Sequence, residues 1–333
     1  MVKKAGFLLL FIFIIVLSIQ NSAFAQKKDS AGIFSINDNI EKIKCKIVLR
    51  PYYSIGQEII SFIDQTKKSK PVIYKAKIPS YIGIGLTYKF FYLCLSTSLP
   101  KSSISIDKYG NTKSTSFNLN FQRRHFGLKL FFYNYKFFYL SNPKNFMNDW
   151  TSSRFPKRPD FKTYTFGIYN NFILSEKFSM NAAFDQSERQ TRSAGSFMIM
   201  TGNYISHIYN DSTLIPFSSK ADFQELYEYK KGTYNTIIIA PGYGYSFIKG
   251  GFNFTPVLFA GTGPQLQSNR STTKRYFRIK LPLFISSRYA LGYNGEKYFS
   301  CVSFSYDIND TSFHSSKIQT RKPTFTIASG VRF

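Results

Sequence analysis

The 333-residue chain carries 44 Lys and Arg against 18 Asp and Glu, a formal net charge of +26, with 36 Phe and 24 Tyr. Its slightly negative mean hydropathy excludes a bundle of membrane helices. Three cysteines, Cys45, Cys94 and Cys301, lie too far apart for a zinc pattern and are too few for a disulfide framework. No Walker, HExxH or nucleic-acid-binding motif accompanies the positive charge, so no cofactor and no nucleic-acid partner is expected.

In chain order, Lys3 and Lys4 precede an apolar stretch, Ala5 to Ile19, and then Ala23-Phe24-Ala25. This pattern predicts a secretory signal peptide cut after Ala25; the competing reading is an N-terminal anchor. Beyond it no apolar run approaches the roughly 18 residues of a spanning helix. Residues 26–44 read as a polar periplasmic lead-in. Strand-like runs follow at 46–62 (kinked near Pro51 or Gly56), 80–89, 91–99, 114–123, 127–140, 162–174, 178–187, 233–247, 252–263, 276–290, 297–307 and 323–333. That is about twelve, within a range of 10–14, near the ~9–11 residues of a tilted membrane strand.

The gaps alternate. Short ones fall at 90, 124–126, 175–177, 248–251 and 291–296. Long ones fall at 63–79, 100–113, 141–161, 188–232, 264–275 and 308–322. Short periplasmic turns and long external loops are how transmembrane barrels are built. The last strand alternates, with Phe325, Ile327, Ser329, Val331 and Phe333 on one face. A terminal aromatic on an apolar face resembles the signal read by the barrel-assembly machinery, which assigns Phe333 that role. The sequence therefore predicts an all-β, transmembrane, antiparallel up-and-down barrel over residues 45–333. Its place is the outer membrane of a Gram-negative bacterium, with lipid and lipopolysaccharide as surroundings.

A charge on the lipid face near the midplane costs about 2–4 kcal/mol. Arg278, Lys280 and Arg288, which alternate with Phe277, Ile279 and Tyr289, are therefore expected to face the lumen. Lys129 shares a face with Tyr133 and Tyr135 and fits this rule poorly. The segment Phe184 to Phe197 is dense in charge of both signs, and Arg189 and Arg192 are expected to meet Asp185 or Glu188. With Ser193 and Ser196 they form a candidate lumen network that either plugs the barrel or binds an anion.

That segment, with Asp211-Ser212-Thr213-Leu214-Ile215-Pro216 and Phe155-Pro156-Lys157-Arg158-Pro159-Asp160, resembles the Bacteroidota family catalogued as domain of unknown function 4421. Tyr81 to Lys89 is similar to that family's first hairpin. The resemblance implies an envelope location and brings no activity and no catalytic residues. The functional expectation is a non-enzymatic structural or ligand-binding barrel whose polar, basic lumen engages anionic glycolipid or small anions. A narrow anion-preferring channel and an outer-membrane hydrolase are the alternatives. For the hydrolase the candidate is His207, near Ser206, Asn210 and Asp211. A soluble periplasmic β-protein is a further rival.

Overall fold

The computed structural model describes residues 39–42, 47–67, 69–88, 91–147, 150–271, 275–313 and 315–333. The signal peptide, most of the lead-in, Cys45 and His314 lie outside them. Strands β1 (Ile40–Lys42), β2 (Ile47–Gly56), β3 (Glu58–Asp64), β4 (Val72–Ala76), β5 (Tyr81–Tyr88) and β6 (Phe91–Ser98) precede a short helix, α1 (Ser103–Tyr109). Then come β7 (Lys113–Gln122), β8 (Phe126–Leu140), β9 (Lys157–Ile173), β10 (Glu188–Gln190) and β11 (Ala194–Tyr209). A single helical turn, α2 (Gln224–Tyr227), leads to β12 (Tyr229–Lys249), β13 (Phe252–Gly261), β14 (Gln265–Ser271) and β15 (Arg275–Lys280). The chain closes with β16 (Phe284–Asn294), β17 (Tyr298–Ser312) and β18 (Ser316–Arg332).

The sheet is a ring. Its order is β11-β9-β8-β7-β6-β5-β2-β18-β17-β16-β13-β12, twelve strands, and β12 pairs back onto β11. Every pairing is antiparallel, and the terminal strand β18 is zipped to β17 and β2. Closure removes the sheet edges that a membrane cannot solvate. The lower end carries the C-terminus and the short turns. One of these is Gly250–Gly251, with φ of 58° and 84°, joining the paired Lys249 and Phe252. A two-residue hairpin turn of this hand needs positive φ at both positions, which glycine adopts without strain.

The lower half presents an apolar band to the outside. Ile84, Leu119, Ile239, Leu258, Leu291 and Ile327 are all exposed. Aromatic residues cluster at the lower rim, among them Phe197, Phe252, Tyr298 and Phe333. An aliphatic belt edged by aromatics matches a bilayer and its interface. The fold is thus the predicted transmembrane antiparallel β-barrel.

Two predicted elements are corrected. Residues 178–187 do not form a strand. They curl into the lower lumen around a π-helical turn at Asn181–Asp185, burying Phe178, Met180, Ala182 and Ala183. Their apolar spacing imitates a strand's period. The seventh ring strand of the chain is instead β11, inside the predicted loop 188–232. Its Phe197, Ile199 and Ile205 face out while Met198 and Met200 are buried within, so both faces are apolar and no alternation is visible. The gaps 264–275 and 308–322 are likewise mostly strand, and 63–79 holds β4, because the wall continues above the membrane. The kink in the first strand falls just after Gly56, at Gln57 between β2 and β3.

The upper half is narrower. β4 bypasses β6 and β7 and pairs directly with β8, Tyr74 with Leu140 and Lys75 with Tyr139, so the ring is two strands shorter there. An apolar core fills it. Ile60, Phe62 and Ile318 from the wall pack with Leu214, Phe223 and Leu226 from the 210–228 connection. A second core, including Phe178, Met198, Met200, Ile238 and Phe259, fills one side of the lower barrel.

Candidate functional site in the lumen

Between the two fillings, on the side of β2, β5 to β8, β17 and β18, the lumen keeps a cavity of about 490 Å³. Four cations line it, Arg50, Lys129, Arg288 and Lys322, against two acids, Asp185 and Asp307. Strand alternation aims each of the wall residues inward. Ser286 donates to Asp307 at 2.6 Å. Lys322 lies 3.6 Å from Glu58 and 4.3 Å from the Tyr133 ring centroid, a cation over an aromatic face. Arg50, only 7 % exposed, stands 3.7 Å from Asp185 of the lower insert. A buried arginine of this kind is tolerable only beside a carboxylate and further hydrogen bonds. Asn171 also lines the cavity, 5 % exposed, with an amide oxygen that has no hydrogen-bond partner.

Lys129 finds its explanation here. Its ammonium lies 5.9 Å from the Phe131 ring, and Phe131, Tyr133 and Tyr135 form a ladder with centroids 5.5 and 6.3 Å apart. All four face inward, so this strand carries its aromatics on the lumen side.

The predicted site residues are only partly assembled. Arg288 and Asp185 meet the cavity. Arg278 lies in β15 on the upper wall and pairs at 2.6 Å with Glu225 of α2, and Lys280 ends the same strand. The expected partners of Arg189 are replaced: it lies 3.5 Å from Glu41 and 3.6 Å from Glu296 at the lower rim. Glu188 accepts from the Ser179 hydroxyl at 2.5 Å, and β10 pairs with β1 at the end of the lead-in. Arg192 is exposed, and its carbonyl accepts from Gln190 at 3.2 Å. Ser193 accepts from the Ile248 amide and Ser196 from the Ser175 amide, both at 2.9 Å, so these hydroxyls close the turn. Phe333 is exposed at the rim, its amide bonded to the Ile47 carbonyl at 3.0 Å.

The cluster proposed around His207 does not come together. Its ring hydrogen-bonds Thr233 at 2.8 Å and stacks on Tyr164, whereas Ser206 pairs with Thr165 and Asp211 accepts from Tyr209. Arg50 and Lys322 escaped the sequence reading. The first sits beside Pro51 in a strand whose faces were not separated, and the second lies in a stretch read as loop. A count of inward positions along β2 and β18 would have found both.

The two stretches 155–160 and 211–216 meet above the barrel. Arg158 forms a two-pronged pair with Asp160 at 2.9 and 2.8 Å and donates to the carbonyls of Ser212 and Thr213 at 2.7 and 2.5 Å. The clamp holds down the connection that fills the mouth. Tyr74 donates to the Leu214 carbonyl from below at 2.8 Å.

The model of a family described as a domain of unknown function, DUF4421, matches residues 37–333. No curated protein matches the chain. Among solved structures, the outer-membrane protease OmpT of Escherichia coli aligns at 10% identity over 91% of this chain and 100% of its own, with a TM-score of 0.38. The translocator domain of the autotransporter NalP of Neisseria meningitidis aligns at 10% identity over 86% and 89%, TM-score 0.32. A Pseudomonas aeruginosa FadL homologue aligns at 9% identity over 86% and 90%, TM-score 0.25. These scores transfer no function; the barrel rests on the chain's own closed sheet.

Proposed function

The chain belongs to the DUF4421 family, and from its lumen we propose that it is a non-enzymatic outer-membrane barrel that holds a phosphate-type anion in a basic internal cavity. The observation that carries this reading is the cavity itself: four inward cations against two lining acids, with Glu58 beside Lys322, set between the apolar fillings of the lumen. A low-dielectric wall strengthens the field of those cations at a bound anion. Arginine offers the forked donors that phosphate oxygens accept. The same fillings argue against the channel reading, since the upper mouth is packed with Leu214, Phe223 and Leu226. In the same reading Phe333 serves as the assembly signal and Arg278 as a clamp on the mouth.

The test is calorimetric titration of the folded protein in non-ionic detergent with inorganic phosphate and with dodecyl phosphate. The double variant Lys129→Gln, Arg288→Gln is expected to bind at least tenfold more weakly while keeping the heat-modifiable gel shift of a closed barrel. Unchanged affinity in that variant would overturn the cavity reading. A steady conductance in planar bilayers would replace it with a pore.

A further inference from the structure

The wall beside the cavity is not sealed. β6 and β7 pair at Phe91 with Phe121 and at Tyr92 with Asn120, and nowhere else among the described residues. Above those positions the ladder pairs of β6 are with β5 and those of β7 with β8. A seam therefore runs between Leu93–Ser98 and Lys113–Leu119.

The surrounding structure delimits this seam. Below, the two pairs close it. Above, β8 bulges at Phe137, a non-glycine residue with φ of 79°, and exchanges β7 for β4 as its partner. Thr112 locks that corner, accepting from the Lys77 amide at 3.1 Å and donating to the Phe137 carbonyl at 2.8 Å. Behind the seam, Cys94, Ser96, Ser116 and Asn118 line the cavity. Ser96 and Asn118 are exposed although they face inward, whereas lumen-facing Thr236 and Ser286 on the sealed side are fully buried. In front lie Leu95, 68 % exposed, and Phe117, 54 % exposed, in the apolar band with Ile84 and Leu119.

Backbone groups without partners cost several kcal/mol each in hydrocarbon, and such a stretch survives at membrane depth only where it borders a water-filled cavity. The seam thus sets a cationic, wet cavity directly against lipid. A small anion arriving from water needs no apolar doorway. A molecule matching both sides has a phosphate-type head and an acyl chain.

We propose that the seam between β6 and β7 is a lateral opening through which an anionic lipid places its head group in the cavity while its chain stays between Leu95 and Phe117 in the bilayer. This inference rests on the cavity reading above and names its ligand class. Asn171, with its unmatched amide oxygen, is positioned to accept from a hydroxyl of the head group.

Continuing the register of Phe91 with Phe121 places Leu95 opposite Phe117, on the lipid side of the seam. Leu95→Cys with Phe117→Cys, made in a Cys45→Ser, Cys94→Ser background, therefore allows the two strands to be tied with bis-methanethiosulfonate linkers that dithiothreitol removes. Cys301 is buried and stays out of reach. Tied and released forms of this one protein are titrated with dodecyl phosphate and with inorganic phosphate. Tying is expected to weaken dodecyl phosphate at least tenfold, to leave inorganic phosphate unchanged, and to be reversed by reduction. Dodecyl phosphate binding that ignores the tie would overturn the lateral route while leaving the cavity reading intact. Equal loss of both ligands would also overturn it, since the tie would then act on the cavity. If the released form binds neither ligand, the cavity reading fails and the route falls with it.

Discussion

The upper and lower halves of this barrel share their long strands, β8, β9, β11, β12, β17 and β18, but are filled in opposite ways. In the upper half β4 reaches β8 directly and the ring is short. Its lumen takes the 210–228 connection and becomes an apolar core. In the lower half the β6–β7 hairpin widens the ring. Barrel diameter grows with strand number, and the extra width exceeds what wall side chains can span. The insert 174–193 fills one side, and the side carrying the added hairpin keeps the charged cavity. Adding a hairpin to a filled barrel thus makes a binding space and, where the hairpin is incompletely paired, a way into it.

The comparison can be broken first in the upper half. Phe223 is fully buried in the mouth. Phe223→Ala is expected to cost about 3–5 kcal/mol, from lost transfer energy and an unfilled cavity. The check is urea unfolding in detergent, followed by gel shift. Dodecyl phosphate affinity should stay within a factor of two; a parallel tenfold loss would mean that the halves act as one unit.

A smaller effect is expected at the lower filling. Arg332 of the terminal strand donates from Nε to the Gln186 carbonyl at 3.1 Å and from Nη2 to the Asn294 side chain at 2.5 Å. Gln186 itself is fully buried with φ of 56°. Arg332→Ala leaves buried acceptors unmatched and is expected to cost about 2–3 kcal/mol. Since Asp185 of the cavity floor is next to Gln186, ligand affinity should fall as well. Normal affinity in a destabilised variant would detach the insert from the site.

The smallest effect sharpens the seam. Lys101, just above it, donates to the Thr112 carbonyl at 2.6 Å. Burial, and then the neighbouring Lys77, hold its pKa down to about 8 from 10.5. Between those two values the unfolded chain binds the proton that the folded one has lost, so stability rises with pH across that window. Below about pH 8 the folded state carries the full penalty. Lys101→Met should therefore be more stable than the parent near pH 7, and the difference should shrink as pH rises from about 8 to about 10.5. A difference constant with pH would show that Lys101 is solvated and that the corner above the seam is looser than its hydrogen bonds indicate.

Much of the site was only half legible. Arg288 follows from simple alternation between Tyr289 and the rest of its strand. Arg189 does not, because its partners Glu41 and Glu296 come from 148 and 107 positions away, and no local rule selects them. The seam was invisible for a related reason. β6 and β7 both read as good strands, and pairing is a property of two strands held at one distance.

The residue pattern by itself determined the closed antiparallel barrel, the lipid-facing faces and the short lower turns other than the one expected at 175–177, which is the 174–193 insert, because the bilayer imposes one period on every strand that crosses it. Along β18 that period is plain below, where Phe325 and Ile327 face out. Above the bilayer the apolar residue turns inward, at Ile318, and Lys317 and Gln319 take the outer face. No fixed solvent dictates the inner face of the barrel. Its polarity depends on which segment folds into it, and that choice between apolar core, charged cavity and open seam was made only by tertiary contact.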